Sequence, residues 1–120
     1  MQSLLLLKPD SNRFESLEVE QVFRSDSRFR HLRINSSSGE LTECDFVEAD
    51  DWAIVRLSKD REWISISNSG RAALQAVLII QKALGVPLHA FDSSYTFDLT
   101  FSGISSVEEL EAAMDNARTS

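Results

Sequence analysis

The stretch from Arg71 to Leu84 restricts the fold more than any other part of the chain. Ten of its residues are Ala, Leu, Ile or Val, with Asn68-Ser69-Gly70 before it and Gly85 and Pro87 after it. Asn and Ser side chains can cap a helix N-terminus, glycine can take the left-handed conformation that ends a helix, and proline cannot continue one. A helix over about residues 69–84 follows. Arg71, Gln75 and Lys82 fall four and seven apart on one narrow stripe, so most of the circumference is apolar and must be covered on several sides. A sheet beneath it satisfies that need, with a second protein chain as the alternative cover for part of it.

The rest of the chain supplies the sheet. Leu4 to Leu7 reads as a short buried strand that stops at Lys8-Pro9-Asp10-Ser11-Asn12, because proline fixes φ and has no N–H to donate. Leu17 to Phe23 sustains neither a period of two nor one of 3.6 and is given no element. Arg28 to Ile34 alternates imperfectly and runs into the turn cluster Asn35-Ser36-Ser37-Ser38-Gly39, so a strand, a loop and another strand are expected. The second strand lies within Glu40 to Glu48. Trp52 to Leu57, the polar loop Ser58 to Arg61 and the clean alternation of Trp63 to Ser67 form a hairpin.

Beyond the helix, Leu88 to Phe91 and Tyr95 to Phe101 read as two strands joined through Asp92-Ser93-Ser94. Ser105 and Ser106 stand three residues before Glu108 and Glu109, the spacing of a capping box, and Val107, Leu110, Met114 and Ala117 line one face of a closing helix. The expectation is a single α+β domain over residues 1–120. An antiparallel sheet packs against one long apolar helix (about 69–84), with a short C-terminal helix (about 106–117).

Charge and cysteine content limit the function. With 12 Lys and Arg against 19 Asp and Glu, the formal charge of −7 opposes approach to nucleic acid or to an anionic bilayer. Neither is an expected partner. Met1-Gln2-Ser3 is followed by only four apolar residues with no basic residue before them, so no secretory signal or membrane span is expected, and the expected location is the cytoplasm. Cys44 is the single cysteine, so an intramolecular disulfide is excluded and the residue reads as a small core side chain.

Catalytic and metal-binding patterns are sparse. His31 and His89 are the two histidines available for a nucleophilic triad, and no serine sits in a G-x-S-x-G elbow. His89 just before Asp92 is the one pairing that could serve as a general base held by a carboxylate, in a small hydrolase. A lone strand histidine more commonly has a structural role, so no catalytic residue is assigned. No Cys-x-x-Cys, His-x-x-x-His or calcium-loop spacing occurs, and no metal or cofactor is expected.

The remaining feature is acidic. Glu40, Glu43, Asp45, Glu48, Asp50 and Asp51 fall within twelve positions that hold no Lys or Arg, and Trp52 follows them. A solvated edge that discourages strand pairing is one reading. A magnesium-binding or acid–base carboxylate pair of an enzyme is a second, which needs a shaped cleft that 120 residues with four glycines rarely provide. A docking surface for a basic protein, with Trp52 as its aromatic anchor, is the third. Arg24 to Arg33 form the one basic segment, and those arginines can pair with the acidic segment across the sheet.

Trp63-Ile64-Ser65-Ile66-Ser67, the Ala-rich helix ending Ala83-Leu84-Gly85, Leu88-His89-Ala90-Phe91-Asp92 and Tyr95-Thr96-Phe97-Asp98-Leu99 together resemble small bacterial immunity proteins that neutralise toxins of interbacterial competition. The resemblance lies in size, acidity and layout over the second half of the chain. It implies a non-enzymatic inhibitor that binds a basic toxin domain. The rival expectation is a structural or adaptor subunit that self-associates, for example as a homodimer, or joins a larger complex.

Overall fold

The structure is a computed structural model that describes residues 3–9, 13–35, 41–58, 61–67, 70–92, 98–100 and 104–119. The strands are β1 (Ser3–Leu7), β2 (Phe29–Asn35), β3 (Leu41–Glu48), β4 (Asp51–Leu57), β5 (Trp63–Ser67), β6 (His89–Asp92) and β7 (Asp98–Thr100). They form one seven-stranded sheet in the order β2-β3-β4-β5-β1-β6-β7, with every neighbouring pair antiparallel. The helices are α1 (Ser16–Ser25), α2 (Arg71–Leu84) and α3 (Val107–Thr119).

The α+β class and the antiparallel sheet are as the sequence implies, but the helical layer is different. Residues 17–23 lie in α1, so three helices cover the sheet rather than two, and α3 at 13 residues is nearly as long as α2 at 14. α2 shares the layer with the other two and contributes six buried side chains to it. Val19, Val22 and Phe23 do keep helical spacing in α1 and are buried, but Leu17 is off that face and 74% exposed, which blurs the period.

Alternation along the strands decides which side chains meet the helices. Phe29, Thr42, Cys44, Phe46, Ala53, Val55, Leu57, Ile64, Ile66, Leu4, Leu6, Ala90 and Asp92 point to one face and are buried there. The apolar run of β1 makes it a central strand, paired on both sides by β5 and β6. α1 packs on β2 and β3, α2 lies between α1 and α3 and touches β3, β4 and β5, and α3 packs on β7 and α2. Phe23, Phe29 and Phe46 form a chain of ring contacts, with centroids 5.3 and 4.8 Å apart, that joins α1 to the sheet.

The start of α2 is held by a side chain of the sheet, and its exit by one of its own. Asn68 and Ser69, the expected caps, lie outside the described residues, and the N-cap position is Gly70 without a side-chain bond. Asp51 of β4 accepts a hydrogen bond from the Ala72 N–H at 3.0 Å and supplies the missing acceptor. At the other end Gly85 takes φ +69° and donates its N–H to the Gln81 carbonyl. The Gln81 side chain donates to the Val86 carbonyl and accepts from the Leu88 N–H, fixing the exit toward β6. In α3, Ser106 accepts from the Glu109 N–H at 3.1 Å and Ser105 donates to the Glu109 carboxylate, close to the expected capping box.

Two irregularities explain imperfect sequence patterns. The register between β2 and β3 shifts between Arg30 and Arg33, and His31 has φ +56°. This bulge accounts for the broken alternation of β2. Ala49 and Asp50 connect β3 to β4, and Ala49 takes φ +53° there, at a position of a two-residue hairpin where glycine is the usual occupant.

Candidate protein-binding surface

The acidic segment does not form one patch, because it spans a hairpin whose alternation sends its carboxylates to opposite faces. Glu43 and Asp45 lie on the face away from the helices, and Glu48 and Asp51 on the helix side. Asp50 is exposed in the turn, and Glu40 lies outside the described residues. Trp52, beside Val47 on the helix-free face, is 55% exposed.

The lack of Lys and Arg within the segment is made good by arginines from neighbouring strands. Arg33 donates from Nε to Glu43 Oε1 at 2.9 Å and from Nη2 to Asp45 Oδ1 at 3.1 Å. Arg56 donates from Nε to Glu43 Oε2 at 2.7 Å. Glu43 is half-buried, and burial alone would raise its pKa, but the hydrogen bonds from Arg56 and Arg33 outweigh that and hold it below the usual carboxylate range. On the helix side, Arg28 donates from Nη1 to Glu48 Oε1 at 2.8 Å and makes two side-chain hydrogen bonds with Asp26, with its guanidinium 5.5 Å from the Phe46 ring centroid. The hydrogen bonds from Arg28 lower the Asp26 pKa against the opposing effect of burial. The pairing of the basic segment with the acidic one, read from sequence as an alternative, is therefore present for Arg28 and Arg33.

The one candidate for acid–base chemistry does not assemble. His89 and Asp92 are three residues apart on β6, so they point to opposite faces: Asp92 is buried beneath the helices and His89 lies half-buried on the other side. His89 Nδ1 instead contacts Thr100 Oγ1 at 3.2 Å. The hydrolase reading built on that pair has no geometry to support it. Cys44 is fully buried on β3, and burial pushes its thiol up to about 12, far from the range of a reactive thiolate. Among the described residues no group of three or more His, Cys, Asp and Glu side chains is placed to hold a metal ion. No described helix is long and apolar enough to cross a membrane.

What remains is the helix-free face of the sheet. Across its middle the register places Leu5 beside Ser65 and Phe91, Leu7 beside Trp63 and His89, and Ile54 beside Asp45. Leu5, Leu7, Ile54, Trp63 and Phe91 are all half-buried although no described helix packs on them. Trp52 stands on the same strand as Ile54 and Arg56, two and four residues away, so aromatic, aliphatic and guanidinium groups follow one another along β4. Sequence reasoning found Trp52 but missed Leu5, Leu7, Trp63 and Phe91 as surface, because only the strand order shows which half of each alternation the helices leave uncovered.

Exposed acidic residues also gather on α3, where Glu108, Glu109, Glu111 and Asp115 point outward, with Arg71 reaching Glu108 at 3.4 Å. No family model matches the chain, and no curated protein or solved structure is significantly similar to it.

Proposed function

We propose that this chain acts by binding another protein through the helix-free face of its sheet, as a non-enzymatic inhibitor of the kind that small immunity proteins represent. The observation that carries the reading is Trp52, 55% exposed on this face beside the half-buried Val47 of β3 and Ile54 of β4. Tryptophan and arginine are the residues most enriched at energetic centres of interfaces, and both stand on this face. An antiparallel sheet with one face left by its helices offers a rigid platform that needs little reorganisation on binding.

The acidic segment enters this reading differently from the way its sequence suggests. Glu43, Asp45 and Trp52 share the binding face and Asp50 stands at its rim, whereas Glu48 and Asp51 hold the fold together on the other side. The two carboxylates on the face are already bonded to Arg33 and Arg56. The proposal therefore keeps the protein partner and does not require that partner to be basic. Retention of a stoichiometric protein by the purified chain, and its loss on Trp52→Ser, tests the reading.

The second reading is self-association through the same face, as an adaptor or structural subunit, and the half-buried Leu5, Leu7 and Phe91 favour it equally. Molecular mass measured across a hundredfold range of protein concentration separates the two. A monomer throughout fits a free inhibitor, and a dimer dissociated by Trp52→Ser fits the subunit.

A further inference from the structure

We infer that the contact on this face is made by an acidic segment of the partner protein, which lays its carboxylates on Arg33 and Arg56 and an apolar side chain beside Trp52. The inference rests on the binding reading above and goes further by naming the partner's chemistry.

It stands on the vertical order of charges in the ion-pair row. Glu43 lies between the two arginines across β2, β3 and β4, and its side chain is 16% exposed, against 44% for Arg33 and 47% for Arg56. Asp45, at 30%, is also lower than Arg33, which bonds it. The carboxylates are sunk and the guanidiniums stand over them. A partner approaching from solvent meets the cations first, although the segment that carries the carboxylates is the most acidic stretch of the sequence. Arg30, exposed and opposite Asp45 in the register, adds a third cation to the same face.

The buried carboxylates also orient the arginines. A guanidinium has five N–H donors in a rigid plane. Among the described residues Arg33 engages Nε and Nη2, and Arg56 Nε and Nη2, which leaves donors on both for an incoming carboxylate. Because the planes are already fixed by Glu43, little side-chain entropy is lost on binding. β2 and β4 are separated by one strand, so the two guanidiniums start from strands about 10 Å apart. Carboxylates at alternate positions of an extended peptide are spaced by about 7 Å, within reach of both.

The rest of the molecule selects a short acidic peptide over a nucleic acid. The net charge of −7 repels anions, and this repulsion and the attraction of the arginine row both act over about one screening length, 8–10 Å. A nucleic acid brings a charge at every nucleotide into the repulsive field, while a peptide can bring two carboxylates to the row and apolar side chains to Trp52 and Ile54.

The test is a titration of the isotope-labelled chain, followed by the Arg Nε–H, Trp indole N–H and backbone signals. Three probes are compared: the blocked pentapeptide Glu-Gly-Glu-Gly-Phe, which puts two carboxylates and one aromatic ring on the same face, its lysine counterpart Lys-Gly-Lys-Gly-Phe, and a ten-residue oligothymidine. The expected result is saturable shifts from the glutamate peptide at Arg33, Trp52 and Arg56, with at least tenfold tighter binding than either other probe. Replacing Arg33 and Arg56 together by Gln should abolish these shifts, and Trp52→Ser should reduce them while leaving the β3 and β5 signals of the folded chain in place.

Equal or tighter binding of the lysine peptide on this face overturns the inference but leaves the binding reading standing. Tighter binding of the oligothymidine assigns the row to nucleic acid instead. Shifts at the face and at α3 that grow with protein concentration before any probe is added make a second copy the occupant, through its exposed α3 carboxylates. Absence of shifts from the glutamate peptide also overturns the inference. The binding reading itself fails if a partner is retained equally well by the Trp52→Ser chain, or if a monomeric wild-type chain retains none.

Discussion

Asp51, on a central strand, accepts the backbone N–H of Ala72 in the first turn of α2, with Oδ2 3.0 Å from the nitrogen, and its Oδ1 accepts the N–H of Trp52. One carboxylate thus fixes the start of α2 against the strand that carries the exposed tryptophan. It also sits where the helix dipole favours negative charge.

Loss of that carboxylate should therefore be felt in stability. Asp51→Ala is expected to lower the unfolding free energy by about 0.5–2 kcal/mol, the usual range for a lost N-terminal cap, with Asp51→Asn milder because it retains an acceptor oxygen. Gly70→Ala should act through the same contact, since a Cβ there would meet Asp51 Oδ2 at 2.6 Å. Urea denaturation of the three variants checks this, and additivity of Gly70→Ala with Asp51→Ala would show that the two do not share a mechanism.

The hairpin turn offers a change in the opposite direction. Ala49 holds φ +53°, which costs a residue with a Cβ about 1 kcal/mol and costs glycine almost nothing. Ala49→Gly should raise stability by up to about 0.6 kcal/mol, once the roughly 0.4–1 kcal/mol from the greater freedom of glycine in the unfolded chain is offset. At Gly85, where φ is +69° and open space surrounds the Cα, Gly85→Ala should lower it by about 1 kcal/mol from backbone strain alone. Thermal unfolding of both variants should move the midpoint in opposite directions.

Acid should loosen the arginine nodes. Asp26 and Glu43 both have pKa values below their ordinary 3.8 and 4.5, so each binds fewer protons folded than unfolded. Their contribution is complete above the ordinary pKa values and is lost as pH falls through the depressed ones. Stability should therefore decline below about pH 5. The Asp26→Asn, Glu43→Gln double variant should be less stable at pH 7 and show a shallower decline, measured by urea unfolding at pH 7, 5, 4 and 3.

Much of the sheet is legible in the sequence, and what is missed has physical causes. Trp63 to Ser67 alternates cleanly because one face is buried and the other not, and Gly85 marks the end of α2 because no other residue takes that φ so readily. α1 is missed because three buried residues, Val19, Val22 and Phe23, carry its packing while Leu17 points to solvent and the N-cap Glu15 makes no side-chain cap bond. The site is less legible than the fold. Glu43 and Asp45 look unpaired in sequence since Arg33 and Arg56 reach them across strands, and pairing of that kind follows from strand order, which local patterns do not encode.

The central claim, that the helix-free face binds a protein, is tested most directly by capture from lysate of the source cell, with wild-type and Trp52→Ser chains as parallel baits and circular dichroism to establish that both are folded. The account predicts that the wild-type chain retains a protein in stoichiometric amount and that Trp52→Ser retains less than a tenth of it. Equal retention by the two baits would contradict it, as would a wild-type bait that is monomeric and retains nothing.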